Sequence, residues 1–92
     1  MKKKLIASNT FKTKDKKSVY FKGFKVKYGT HFFVRNPRNK IILKMGHSET
    51  VNKDDLKRIK KAVREFMKKY TLLEMEFARD DKIQLEFLDC LY

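Results

Sequence analysis

The chain predicts an α+β fold. A small antiparallel sheet, a three-stranded meander over Val19–Met45, packs on one long helix at about Lys53–Lys69, and a C-terminal β-hairpin follows. Three observations point there. Apolar and polar residues alternate from Val19 onward, with gaps too short for crossover connections. Between residues 53 and 69 the apolar spacing changes to three and four. After residue 71 alternation returns on both sides of a short polar break.

The 92 residues fit one small domain. Residues 1–18 form a basic arm or an edge strand, 19–70 a sheet–helix platform, and 71–92 an acidic hairpin. Leu5, Ile6 and Phe11 supply apolar positions for the edge strand, and Lys14 to Lys17 form a turn. Val19 and Phe21, then Phe24, Val26 and Tyr28, alternate with Lys22, Lys25 and Lys27. The slip of phase at Gly23 predicts a bulge there. After Gly29-Thr30, the strand His31–Arg35 sets His31, Phe33 and Arg35 on one face, with Phe32 and Val34 on the other. Asn36-Pro37-Arg38-Asn39 is a turn, because proline presets φ and asparagine tolerates left-handed geometry. Lys40–Met45 is the third strand, closed by Gly46.

Asn52 caps the helix, with Asp54 and Asp55 in its first turn, where carboxylates favour the dipole. Leu56, Ile59, Val63, Phe66 or Met67, and Tyr70 make the buried stripe. Basic residues cover the rest. In the last segment Leu73, Met75 and Phe77, then Ile83, Leu85 and Phe87, alternate with polar residues around a turn at Arg79-Asp80-Asp81.

Charge narrows the function. A net charge of +13 points to a polyanionic partner, with nucleic acid ahead of an acidic protein or an anionic membrane surface. The charge is polarised. Residues 71–92 carry two basic and six acidic side chains, a net of −4, so the first 70 residues carry +17. The candidate nucleic-acid contacts are Lys25, Lys27, Arg35, Arg38, Lys40, Lys44, His47, Lys57, Lys60, Lys61 and Arg64. Cys90 is alone, which excludes an intrachain disulfide and a cysteine-based zinc site. Two histidines without a matching cysteine or carboxylate array make no metal site, and no cofactor motif is present. The opening MKKKLIA is too short in apolar residues for a signal peptide, and no apolar run is long enough to span a membrane. A reducing cytoplasm is the expected location.

His31 is the candidate catalytic residue. An imidazole takes and gives a proton near neutral pH. Beside an RNA phosphate it would remove the 2′-OH proton, while Arg35 or a nearby lysine stabilises the charge on phosphorus. The alternative is a histidine that only hydrogen-bonds a phosphate or a backbone group. His47, just before the helix, would meet a phosphate at the helix N-terminus.

The run G-T-H-x5-P-x2-K-I-x5-H-S, followed by V-x-K-x2-L-K-R-I, resembles the HicA (YcfA-like) toxins of toxin–antitoxin pairs. The matching positions are Gly29, His31, Pro37, Lys40, Ile41, His47, Ser48, Leu56 and Ile59, with Gly23-Phe24 similar to the Gly-Phe that opens the family's first strand. The resemblance spans about 40 of the 92 residues. It implies a dsRNA-binding-like α-β-β-β-α domain, metal-independent mRNA cleavage with His31 as catalytic residue, and a HicB-type antitoxin as partner. Residues 1–18 lack the periodicity of the family's leading helix, and segment 71–92 is extra. Two other functions fit the same residues. One is a non-catalytic RNA or DNA binder. The other is a small phage- or mobile-element-encoded inhibitor of a host protein or ribonucleoprotein. Either a monomer or a homodimer is compatible with them.

Overall fold

The computed structural model describes residues 3–77 and 81–90. Four antiparallel strands run in sequence order, β1 (Lys4–Lys12), β2 (Ser18–Val26), β3 (Gly29–Arg35) and β4 (Ile41–His47). Helices α1 (Lys53–Met67), α2 (Leu72–Phe77) and α3 (Asp81–Asp89) follow. The sheet thus has four strands rather than three. β1 is a nine-residue edge strand paired with β2.

The meander forms because each connection is a tight turn, and two of the three carry a polar anchor. Between β1 and β2, Thr13 accepts the amide of Lys16, and Lys16 takes a positive φ of 64°. Between β3 and β4, Asn36 Oδ1 accepts the amides of Arg38 and Lys40, both at 3.0 Å. Asn39 supplies the left-handed residue of that turn at φ 65°. Gly29 opens β3 at φ 128°, and a Cβ there would lie 1.9 Å from the His47 carbonyl oxygen. Only glycine allows β4 that close.

One expected irregularity moves. Gly23 is not a bulge, since β2 and β3 pair without a break from Tyr20↔Arg35 to Val26↔Gly29. The glycine is there for space. A Cβ on Gly23 would sit 2.7 Å from Phe32, whose ring stacks on Phe21 at 5.5 Å between centroids. Register shifts lie instead at Leu5/Ala7 in the β1–β2 pair and beside Arg35 in the β3–β4 pair.

All three helices contribute to a cover on one face of the sheet. Ala7, Phe11, Val19, Phe21, Phe32, Val34, Leu43 and Met45 of the strands are buried in one core with Ile59, Val63, Phe66 and Met67 of α1. α1 lies against β1, α3 against β4, and the two helices touch. α1 starts as its sequence predicts: Asn52 Oδ1 accepts the Asp55 amide at 2.8 Å, and Asp54 and Asp55 occupy the first turn. Each large side chain fully removed from water here contributes about 1.5–3 kcal/mol.

The C-terminal β-hairpin is corrected. Residues 72–77 and 81–89 are helical, while 78–80, which include Arg79 and Asp80 of the expected turn, lie outside the described residues. Local chemistry explains the difference. Thr71 and Glu74 form a reciprocal capping box, with the Thr71 amide donating to Glu74 Oε1 and the Glu74 amide to Thr71 Oγ1, both at 3.1 Å. Of the alternating set Leu73, Met75 and Phe77, only Met75 is buried. In α3 the buried residues are Ile83 and Phe87, at helical spacing and followed by buried Cys90 just past the helix, and Leu85 is exposed. The segment is also rich in Leu and Glu, which are strong helix formers.

Two contacts tie these helices to the sheet ends. Asn36 Nδ2 donates to Glu76 Oε2 at 3.0 Å, and the Leu72 amide donates to Asp15 Oδ1 at 3.2 Å. Among the described residues no helix is long and apolar enough to cross a membrane.

Candidate nucleic-acid interface

The helices cover one face of the sheet and leave the other to solvent. Cross-strand partners share a face, so the register assigns its residues. Thr10 faces Tyr20, which faces Arg35; Ser8 faces Lys22, which faces Phe33 and then Lys44; Phe24 faces His31, which faces Gly46. The open face therefore carries Tyr20, Phe24, Phe33 and His31 in its middle, with Lys12, Lys22, Arg35 and Lys44 among and around them.

Phe24, Phe33 and His31 form one contiguous cluster, and Tyr20 lies on the same face opposite Arg35. Phe24 and Phe33 are 6.1 Å apart between centroids, and His31 meets Phe33 edge-on at 6.3 Å and 88°. Tyr20 is 39% exposed, Phe24 and Phe33 are half-buried, and His31 is exposed. No acidic residue occurs anywhere in the four strands, nor between Asp15 and Glu49. The charges carried by the strands themselves are therefore all positive. At the end nearest the β3–β4 turn, Arg35 Nη1 donates to Asn39 Oδ1 at 3.1 Å, while Arg35 Nε is buried without a hydrogen-bond partner.

The residues singled out from sequence divide among five places. His31, Arg35 and Lys44 lie on the open face. Lys25 pairs with Thr30, a core-side residue, so it points to the helix side at the sheet end; Lys27 follows in the adjacent turn, over the Tyr28 ring at 5.3 Å. Arg38 and Lys40 sit in the turn at the opposite end. His47 ends β4, and its Nδ1 accepts the Glu49 amide at 3.1 Å, which folds the ring into its own loop. Lys57, Lys60, Lys61 and Arg64 line a groove with β1 on the helix side.

His31 and Arg35 share a face but are four residues apart, about 13 Å along a strand. They do not converge on one phosphate. The cation beside His31 is Lys44: both line a recess of ≈ 350 Å³ with Met45, Gly46, Gln84 and Leu88, and Gln84 Nε2 donates to the Lys44 carbonyl.

Sequence reasoning put Lys22 on the polar side of β2 and Phe33 beside His31 and Arg35 without naming either as a contact; it set Phe24 with the apolar residues of β2 and left Tyr20 out. The signal was available: without a bulge at Gly23, strict alternation through β2 carries Phe24 to the same face as Tyr20 and Lys22. Among the described residues no group of three or more His, Cys, Asp or Glu side chains gathers to hold a metal ion. Burial pushes the Cys90 thiol pKa up, which disfavours the reactive thiolate. The chain matches no protein-family profile, no curated protein and no solved structure.

Proposed function

We propose that the protein binds single-stranded RNA on the open face of its sheet. One observation carries this reading: four partly exposed aromatic rings on a sheet face whose only charged residues are cations. Unpaired bases stack on such rings, and lysine and arginine side chains hold the phosphates between them. An apolar face for a protein partner would need no such cation-only strands. A duplex would be met by backbone contacts and would leave the aromatic rings unused. The reading keeps the RNA partner implied by the resemblance to the HicA toxins and adds the aromatic residues of the sheet to its basic contacts.

Fluorescence anisotropy with labelled oligoribonucleotides tests it. Affinity falls steeply as salt rises, and Phe33→Ala or Tyr20→Ala each costs about 5- to 150-fold, the loss of one base stack. Binding that is unchanged in both variants removes the reading.

A second reading, RNA cleavage without metal, is supported by His31 and Lys44 on one recess. There the imidazole removes the 2′-OH proton, the 2′ oxygen attacks the neighbouring phosphorus, and the 5′ oxygen leaves with a proton. The proton on the 5′ oxygen comes from water and the imidazolium returns its own to water, so the products are a 2′,3′-cyclic phosphate and a 5′-hydroxyl. Lys44 offsets charge on the phosphorane. Incubating RNA with the protein in EDTA, with His31→Ala alongside, separates the two. Cyclic-phosphate ends that vanish in His31→Ala support cleavage, and intact RNA in both leaves binding alone.

A further inference from the structure

Lys57, Lys60, Lys61 and Arg64 of α1 line a groove of ≈ 320 Å³ with Asn9 and Phe11 of β1. It lies on the opposite side of the sheet from the stacking face. Asn9 and Phe11 pair with Phe21 and Val19, two fully buried core residues, so they face the helices. β1 is the edge of the sheet. Only the width of that strand therefore separates the groove from Ser8, Thr10 and Lys12 on the open face.

The four cations form a row along about 10 Å of helix, at 1.5 Å per residue. The ion pair made on α1, Lys68–Glu65 at 3.6 Å, lies beyond the row. At the groove's floor Asn9 Oδ1 is buried without a hydrogen-bond partner, so the floor holds an acceptor still to be satisfied. Phe11 is 5% exposed and offers no ring face. The groove has the means to hold a backbone and none to stack a base.

We infer that this groove holds the ribose–phosphate backbone of the same RNA strand after it leaves the stacking face and crosses β1. The inference rests on the RNA reading above. Phosphates meet the lysine–arginine row, and a ribose 2′-OH supplies the donor that Asn9 lacks. An acidic peptide would satisfy the cations and could donate to Asn9 from its backbone, so what favours RNA is the continuity of the groove with the stacking face across β1. The path across the sheet covers three strand spacings, about 14 Å, before it turns the edge. A short oligomer reaches only the stacking face, and a longer one reaches both.

The test compares a 4-mer and a 12-mer of oligo(A), as RNA and as DNA, against the full-length protein. In Lys57→Gln/Lys61→Gln/Arg64→Gln the RNA 12-mer binds about tenfold more weakly or worse, and its salt slope drops by about 2, at 0.7 per lost phosphate contact. The 4-mer stays within about twofold, which also reports that the sheet is folded. Asn9→Ala narrows the preference for the RNA 12-mer over the DNA 12-mer.

Three results overturn the inference. The 12-mer loses no more than the 4-mer; or Lys14→Gln/Lys16→Gln/Lys17→Gln in the β1–β2 turn costs as much, so the effect is one of net charge; or a poly-glutamate peptide binds as tightly as the 12-mer at equal salt with the same dependence on the triple variant. Failure of the stacking reading shows separately, as a 4-mer affinity unmoved by Phe33→Ala.

Discussion

Phe32 and Phe33 are neighbours in the chain and opposites in role. Phe32 is fully buried and stacks on Phe21 beneath the helices, whereas Phe33 lies half-exposed between Phe24, His31 and Lys44. The same contrast holds for the two faces as wholes. One is apolar, closed and covered. The other has the same residue type among cations and, among the described residues, meets α3 only at the recess beside His31 and Lys44. A side chain's chemistry therefore does not tell which job it does; its strand phase does. Burial makes the first face a stability device, and exposure makes the second available to a ligand.

The largest expected effect separates the two faces directly. Phe32→Ala opens a cavity and costs about 3–5 kcal/mol, lowering the melting temperature by more than about 12 °C. Phe33→Ala changes thermal stability by under about 1 kcal/mol while weakening RNA binding by about 1–3 kcal/mol. Paired melts and anisotropy titrations of the two variants would show crossed losses; equal losses in both measurements would erase the distinction.

Gly23→Ala tests the covered face from its own side. The added methyl presses on Phe32 and costs about 1–3 kcal/mol in a urea unfolding series. An unchanged midpoint would mean that the ring gives way freely.

Thr71→Ala loosens the cover without touching the open face. It removes one half of the capping box of α2 and costs about 1 kcal/mol, with RNA affinity unchanged in the same preparation. A fall in affinity would tie the helices to the binding surface.

The smallest effect is a pH dependence in that cover. The Thr13 hydroxyl donates to Asp15, aided by the Leu72 amide, and the Thr71 amide and hydroxyl donate to Glu74. Both carboxyls are thereby held below their ordinary pKa. Each folded pKa is the lower one, so the folded state binds fewer protons. The contribution is complete above the ordinary carboxylate range and is lost as pH falls through that range and below it. In thermal melts taken down an acid series, Asp15→Asn/Glu74→Gln should lose less stability than the unmodified chain. Parallel losses would remove these two groups from the acid response.

Much of the architecture was legible locally. The Asn36–Asn39 turn, the Asn52 cap and the division of β3 into Phe32/Val34 against His31/Phe33/Arg35 follow from backbone geometry and a period of two, which act over a few residues. The C-terminal segment was not legible that way. Leu73, Met75 and Phe77 alternate like a strand, yet the capping box at Thr71 and Glu74 starts a helix. The Thr-x-x-Glu spacing was its one local signal.

The sequence by itself determined a cation-only sheet, a basic amphipathic helix, and His31 and Arg35 on one face. Those properties depend on residue identity and strand alternation. Only the tertiary structure decided that Gly23 makes room for Phe32 rather than kinking β2, which carries Phe24 to the open side. It also set Lys44, not Arg35, beside His31, and it separated the α1 cations from the aromatic face by the edge strand β1. The reason is physical. Which face of a strand is covered, and which residues meet across strands, depends on where the helices pack and on cross-strand register, and both are set by contacts between residues far apart in the chain.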